Sequence, residues 1–225
     1  MTFDLLVFDL DGTLIDSRLD LALAVNATRE DAGMGPLDHE LIYSYVGNGA
    51  PMLIRRSLGT EAADQQVDQA LRVFYGYYRE HMLDNTYLYP GVQESLDTFL
   101  AGGRRMAVLT NKPVRFSQEI IKGLGLAAHF ERVYGGNSFA TKKPDPYGLN
   151  YLMDELEASK GGTLVIGDSA VDVKTARNAG TAACGVTYGL QPESFEEHPP
   201  DMLVDRMPEL VELLRDQAVH QQDGR

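Results

Sequence analysis

At 225 residues the chain has room for one large domain, or for a core carrying an inserted subdomain, with an apolar interior that needs no covalent staples. Its formal net charge of −13 argues against polyanionic partners, so neither nucleic acid nor an anionic membrane surface is expected to bind. The single cysteine, Cys184, has no intrachain partner and lies in the apolar stretch from Ala182 to Val186, which predicts a buried small hydrophobe rather than a nucleophile. No apolar run approaches the roughly 20 residues of a membrane span, and the N-terminus lacks the basic and apolar regions of a leader; the expectation is a soluble, cytoplasmic protein.

The first predicted element is a strand, Leu5 to Phe8, that runs into Asp9-Leu10-Asp11-Gly12-Thr13. Residues two apart on a strand project to the same side, so Asp9 and Asp11 would face one small volume at its end. Like charges held that close raise each other's pKa, which makes sense where a cation sits between them or where one carries a proton for acid–base work. Gly12 permits a tight turn, and Thr13 offers a hydroxyl there.

From Asp16 to about Asn85 the pattern is helical only, with candidate helices at Leu19–Ala32, His39–Val46, Ala50–Leu58 and Ala62–Met82. Four helices inserted after the first strand predict a cap over residues 16–85. It would be joined by linkers at Ile15-Asp16-Ser17 and at Asn85 to Pro90, and the core would comprise residues 1–15 and 86–225. Phe74, Tyr75, Tyr77 and Tyr78 form an aromatic cluster on the fourth helix, which reads as packing. Gly47-Asn48-Gly49 precedes the third helix, whose N-terminal amides can receive an anion, and Arg55 lies a turn or so along it.

Beyond residue 90, strands at Met106–Leu109, Arg132–Tyr134, Thr163–Ile166, Ala183–Val186 and Met202–Val204 alternate with helices at Val92–Ala101, Arg115–Leu124, Pro146–Glu157, Val171–Ala179 and Pro208–Gln217. The tail from Ala218 to Arg225 is polar and expected to fray. Continuous apolar strands alternating with helices predict an α/β fold, a Rossmann-like parallel sheet covered on both faces, with its ligand at the carboxyl ends of the strands. Polar residues gather at those ends. Thr110-Asn111-Lys112 supplies a hydroxyl, an amide and an ammonium, and Gly167-Asp168-Ser169-Ala170-Val171-Asp172 supplies two more carboxylates. Such oxygen-rich sites suit Mg²⁺, while Asp172, on the same helix face as Asp168, can orient metal-bound water or cap its helix. In Lys142-Lys143-Pro144-Asp145-Pro146 the proline constrains the backbone of Lys143 and so the direction of its side chain.

In this order and at successive strand ends, Asp9-Leu10-Asp11-Gly12-Thr13, Thr110-Asn111, Lys143-Pro144 and Gly167-Asp168-Ser169 with Asp172 resemble the four motifs of the haloacid dehalogenase superfamily. The resemblance covers nearly the whole chain and implies a Rossmann-like core, a helical cap and Mg²⁺-dependent phosphatase chemistry. It makes Asp9 the nucleophile and Asp11 the acid and then the base, with its carboxyl kept free for the proton. Mg²⁺ would be held by Asp9, the carbonyl of Asp11 and Asp168, with Asp172 beside it. Lys143 becomes a fixed cation at the phosphoryl group, Thr110 and Asn111 donors to its oxygens, and Asn48, Gly49 and Arg55 candidates for the rest of the substrate. Asp11 argues against a dehalogenase, which has no alkoxide to protonate.

Val46-Gly47-Asn48-Gly49, Leu88-Tyr89-Pro90-Gly91 and Gly185-Val186-Thr187-Tyr188-Gly189 are similar to the phosphoglycolate phosphatases, although Val171 stands where many of those have Asn. The implied substrate is a small phosphorylated metabolite, 2-phosphoglycolate foremost, acted on by a monomer or homodimer. A sugar-phosphate phosphatase, a β-phosphoglucomutase, an inorganic pyrophosphatase and a regulatory binding protein on the same fold are the alternatives.

Overall fold

A computed structural model describes residues 3–219. Strand β1 (Leu5–Phe8) is followed by a two-residue strand β2 (Ile15–Asp16), by helices α1 (Arg18–Asp31), α2 (His39–Tyr43), α3 (Ala50–Leu58) and α4 (Asp64–His81), and by a second short strand β3 (Tyr87–Leu88). Helices and strands then alternate: α5 (Val92–Ala101), β4 (Arg105–Leu109), α6 (Val114–Gly123), β5 (Arg132–Tyr134), α7 (Tyr147–Glu155), β6 (Thr163–Gly167), α8 (Ala170–Ala179), β7 (Ala182–Val186), β8 (Met202–Val204) and α9 (Met207–Val219). Of the tail expected to fray, Ala218 and Val219 close the last helix, and the remainder lies outside the described residues.

Six strands form one parallel sheet in the order β5-β4-β1-β6-β7-β8. Side chains alternate across it. Leu6, Phe8, Met106, Val108, Leu164 and Ile166 enter one apolar cluster with residues of α5, α6 and α9, whereas Leu5, Val7, Ala107, Leu109 and Val165 enter another under α7 and α8. Both faces of the four central strands are buried, which is why those strands read as uninterrupted apolar runs rather than as alternating ones. Register then positions the polar ends. Phe8 pairs with both Val108 and Ile166, so Asp9, Thr110 and Asp168 emerge together one or two residues later at the carboxyl edge of the three central strands.

The expected linkers pair with each other as an antiparallel ribbon, Ile15 opposite Leu88 and Asp16 opposite Tyr87. Beside the ribbon, Asp20 of α1 is fully buried and accepts hydrogen bonds from the backbone and side-chain amides of Asn85, at 2.9–3.0 Å, and from the Thr86 hydroxyl at 2.8 Å. Leu21, Val25, Ile42, Leu53 and Phe74 extend the first apolar cluster from the sheet into the four helices. The helix expected at His39–Val46 stops at Tyr43 because Tyr45 and Val46 turn back to the carbonyls three residues earlier. The helix expected from Ala62 starts at Asp64, where the Gln66 side chain caps the Ala63 amide at 2.9 Å. Among the described residues no helix is long and apolar enough to cross a membrane.

Candidate active site

Three carboxylates converge at the edge of β1 and β6: oxygen atoms of Asp9, Asp168 and Asp172 all lie within 4.8 Å of one another. Asp9 is aimed by the amide of Leu10, which donates to its Oδ1 at 2.7 Å, and by the hydroxyl of Thr110. Asp168 is held by the amide of Leu190 at 2.7 Å. The backbone crowds this carboxylate. A Cβ at Gly12 (φ +85) would come within 2.2 Å of Asp168 Oδ2, and one at Gly189 within 2.2 Å of Asp168 Cβ, so both positions must stay bare.

Lys143 lies among these acids, 3.0 Å from Asp9 Oδ1 and 2.6 Å from Asp172 Oδ1, and is almost fully buried. Its peptide bond to Pro144 is cis. The two carboxylates keep its ammonium charged by raising its pKa against the cost of burial. The other Asp172 oxygen accepts from the Ser169 amide at 3.2 Å and hydroxyl at 2.8 Å, an acid three residues into α8 reaching back to the residue before it. Asp172 thus does cap its helix, and both of its oxygens are taken by protein donors.

Burial drives the electrostatics. It pushes Asp9 up to about 6, with Lys143 opposing and Asp172 adding to the rise. It also holds Asp168 well above the usual carboxylate range, reinforced by the charges of Asp172 and Asp9. Three acids against one ammonium leave the cluster two positive charges short when all three are ionised. Hard oxygen donors around a deficit of two charges fit a divalent cation such as Mg²⁺.

Asp11 faces the same cavity but has different neighbours. Lys112 Nζ lies 2.9 and 3.1 Å from its two oxygens, and the Ser17 hydroxyl donates to Oδ1. The Asp11 carboxyl, expected to be kept off the metal for the proton, is thus held in direction from two sides by protein donors. Lys112 also donates to Tyr78 Oη at 2.7 Å, across from the sheet to α4. Phe74 does stack on Tyr78, with ring centroids 5.5 Å apart, but the aromatic cluster is more than packing: Phe74, Tyr75 and Tyr78 form a wall of the cavity together with Phe116. Tyr77 points elsewhere, onto His81.

The cavity lies between the strand ends and helices α1, α3 and α4. Three side chains of the core grip three successive carbonyls of the loop before α3: Gln191 donates to Val46 at 2.6 Å, Asn111 to Gly47 at 3.1 Å and Lys142 to Asn48 at 2.7 Å. The Asn111 amide also donates to the Lys143 carbonyl at 3.1 Å, while its Oδ1 is buried with no partner. Gly49 lines the cavity; Asn48 contributes its carbonyl to the grip. The structure does not bring Arg55 to the site. Its guanidinium pairs with Asp64 and the Ala62 carbonyl at the start of α4, because residues on that face of α3 meet the following turn rather than the sheet. Sequence reading missed the roles of Lys112, Tyr78, Gln191 and the Leu190 amide. Only Lys112 left a signal, an ammonium two residues beyond Thr110 at a strand end.

A family model described as haloacid dehalogenase-like hydrolase matches residues 6–186. A phosphoglycolate phosphatase of Colwellia psychrerythraea is 40% identical over 215 residues, covering 92% of this chain and 95% of that protein. One of Haemophilus influenzae is 36% identical over 220 residues, covering 94% and 98%. Among solved structures, one described as a predicted phosphoglycolate phosphatase from Haemophilus somnus superposes with a TM-score of 0.90 at 32% identity, covering 95% of this chain and 98% of that one.

Proposed function

We propose a substrate and a mechanism from one premise: the chain belongs to the haloacid dehalogenase-like hydrolase family, and within it is a phosphatase, a phosphoric monoester hydrolase. The substrate proposed is 2-phosphoglycolate, hydrolysed to glycolate and phosphate with Mg²⁺ as cofactor. The observation that carries the mechanism is the pairing of Asp9, open to the cavity, with the buried ammonium of Lys143 at 3.0 Å. Supporting the substrate are the names of the relatives and a small cavity with a largely apolar wall, which offers little to hydrogen-bond the hydroxyls of a sugar.

Asp9 attacks phosphorus in line and forms an aspartyl-phosphate, splitting one slow hydrolysis into two faster displacements. Asp11 delivers a proton to the leaving alkoxide and then takes one from the water that attacks the acyl-phosphate. Lys112 and Ser17 fix the direction in which that carboxyl points. Lys143 sits behind Asp9 as a fixed positive charge for the phosphoryl oxygens, and Thr110, beside Asp9, donates to them as charge develops. Asp9, Asp168 and the carbonyl of Asp11 would hold Mg²⁺, with Asp172 positioning Lys143 and capping α8 rather than ligating. When bound, the ion offsets the repulsion between an anionic ester and an anionic nucleophile. The four helices over residues 16–85 act as the cap that shuts water out of this volume.

The test is a hydrolysis assay on 2-phosphoglycolate, glucose 1-phosphate and pyrophosphate, with and without Mg²⁺. The expected result is highest kcat/KM on 2-phosphoglycolate, near-complete loss on chelation, and a fall of about three orders of magnitude or more in Asp9→Asn. Full activity in that variant contradicts the mechanism, and a preference for either of the other substrates contradicts the substrate.

A further inference from the structure

We propose that Lys112 is the specificity-determining cation of the cavity, taking the carboxylate of the substrate's leaving group while Tyr78 of the cap holds the ammonium in position; this rests on the reading of the enzyme as a phosphatase of a carboxylated ester. Three observations lead to it. Lys112 is the one cationic side chain among the described residues that line the cavity, since Lys143 lies behind Asp9 and Arg55 is tied to Asp64. Its ammonium spends its three N–H groups on the two Asp11 oxygens and Tyr78 Oη, and two of the three go to one carboxylate, so one of that pair can turn to a ligand while Asp11 stays held by the other. Finally, it lies 2.9 Å from the carboxyl that is to protonate the ester oxygen.

The last point fixes the geometry. With phosphorus at Asp9 and the ester oxygen at Asp11, the carbon chain of the leaving group begins at Asp11. A carboxyl attached one carbon further lies beside whatever cation neighbours Asp11, and that cation is Lys112. Without it the substrate carboxylate and Asp11 would repel each other in a water-poor cavity. The remaining wall, Leu53, Phe74, Tyr75 and Phe116, offers no second positive charge. Tyr78 adds the link to the cap. Its hydroxyl reaches Lys112 only from α4, so the cation is fully positioned when the helices lie over the strand ends. Specificity for a small anion then comes from the core strand end, with the cap supplying the hydroxyl that aims it.

The test compares 2-phosphoglycolate with its neutral counterpart, 2-hydroxyethyl phosphate, in the wild-type protein and in Lys112→Met, which keeps the length of the stem and removes the charge. Both substrates slow if Asp11 is misdirected, so the ratio of the two kcat/KM values is the readout. The wild type is expected to prefer the carboxylated ester by about 10- to 100-fold, the range of one charge-assisted hydrogen bond. Lys112→Met is expected to bring the ratio close to one, mainly through KM for 2-phosphoglycolate. Tyr78→Phe, which keeps the ring in its packing and removes the hydroxyl, is expected to lower the ratio in the same direction, and it decides the matter if Lys112→Met does not fold. A wild-type preference that survives both substitutions overturns the role of Lys112. A wild type without any preference overturns instead the reading of the substrate as a carboxylated ester.

Discussion

At the scale of single residues, the carboxyl cluster depends on what is missing from its surroundings as much as on its acids. Gly189 packs its bare Cα against Asp168, and the next amide, Leu190, donates to that carboxylate at 2.7 Å. A methyl group at residue 189 would meet Asp168 Cβ at 2.2 Å and the Gly12 carbonyl at 2.5 Å, so Asp168 must move. Gly189→Ala should therefore lower Mg²⁺ affinity by about 10- to 100-fold, the usual cost of disturbing a ligand's support, with the fold retained. Metal titration of activity checks this, and unchanged affinity would show that Asp168 does not hold the ion. Asp9, Thr110 and Asp168 were legible in the sequence because each follows an apolar strand, and Lys143 because the proline after it restricts its backbone. The pairing of Asp11 with Lys112 was not, since the partners lie 101 residues apart and meet only through the register of β1 with β4. Arg55 misled for the opposite reason: its helix was read correctly to the residue, but which face meets the cavity depends on how α3 packs on α4.

At the scale of elements, the ribbon of β2 and β3 is where the four helices join the sheet. Two residues carry no periodicity, so neither strand can be read from sequence, although both linkers can. Asp20 reinforces the junction. It is wholly buried, and its partners in Asn85 and Thr86 belong to the returning chain. Asp20→Ala strands the buried Thr86 hydroxyl and takes the acceptor from the half-buried Asn85 amides, at a cost of about 2–4 kcal/mol. Because the loss falls at the junction, the helical segment should loosen first. Hydrogen exchange is expected to rise across α1 and α4 before it rises in β1 or β6, and uniform exchange through both parts would contradict the account. The six sheet strands, by contrast, were readable almost to the residue, and in the four central ones burial on both faces makes each a short continuous apolar run.

At the scale of the whole molecule, a chain with a net charge of −13 concentrates three acids in one buried corner, and its stability should carry the mark of that choice. Burial pushes Asp9 up from the ordinary 3.8 to about 6 in the folded state, and Asp168 is shifted in the same direction. Between those values the folded state binds more protons than the unfolded one, so stability of the metal-free protein falls as pH rises from 4 to 6. A cation that needs the ionised cluster reverses this loss. Mg²⁺ at about a hundred times its Kd should raise Tm by about 5–10 °C at pH 7 and by clearly less at pH 5. Equal shifts at the two values would contradict a cation bound by these carboxylates. The alternation of strands and helices made the fold legible from sequence, whereas the depth at which the acids are buried emerges only when Gly12, Gly189 and Lys143 close around them.

The central claim is that Asp9 carries the phosphoryl group between the two displacements. Its most direct test is a rapid acid quench of the enzyme turning over 2-phosphoglycolate with Mg²⁺, followed by mass analysis of the peptide that contains Asp9 and Asp11. The account predicts that this peptide gains the mass of one phosphoryl group, assigned by fragmentation to Asp9, and that Asp9→Asn gains none. Rapid turnover with no phosphorylated peptide, or with the group on Asp11, would contradict it.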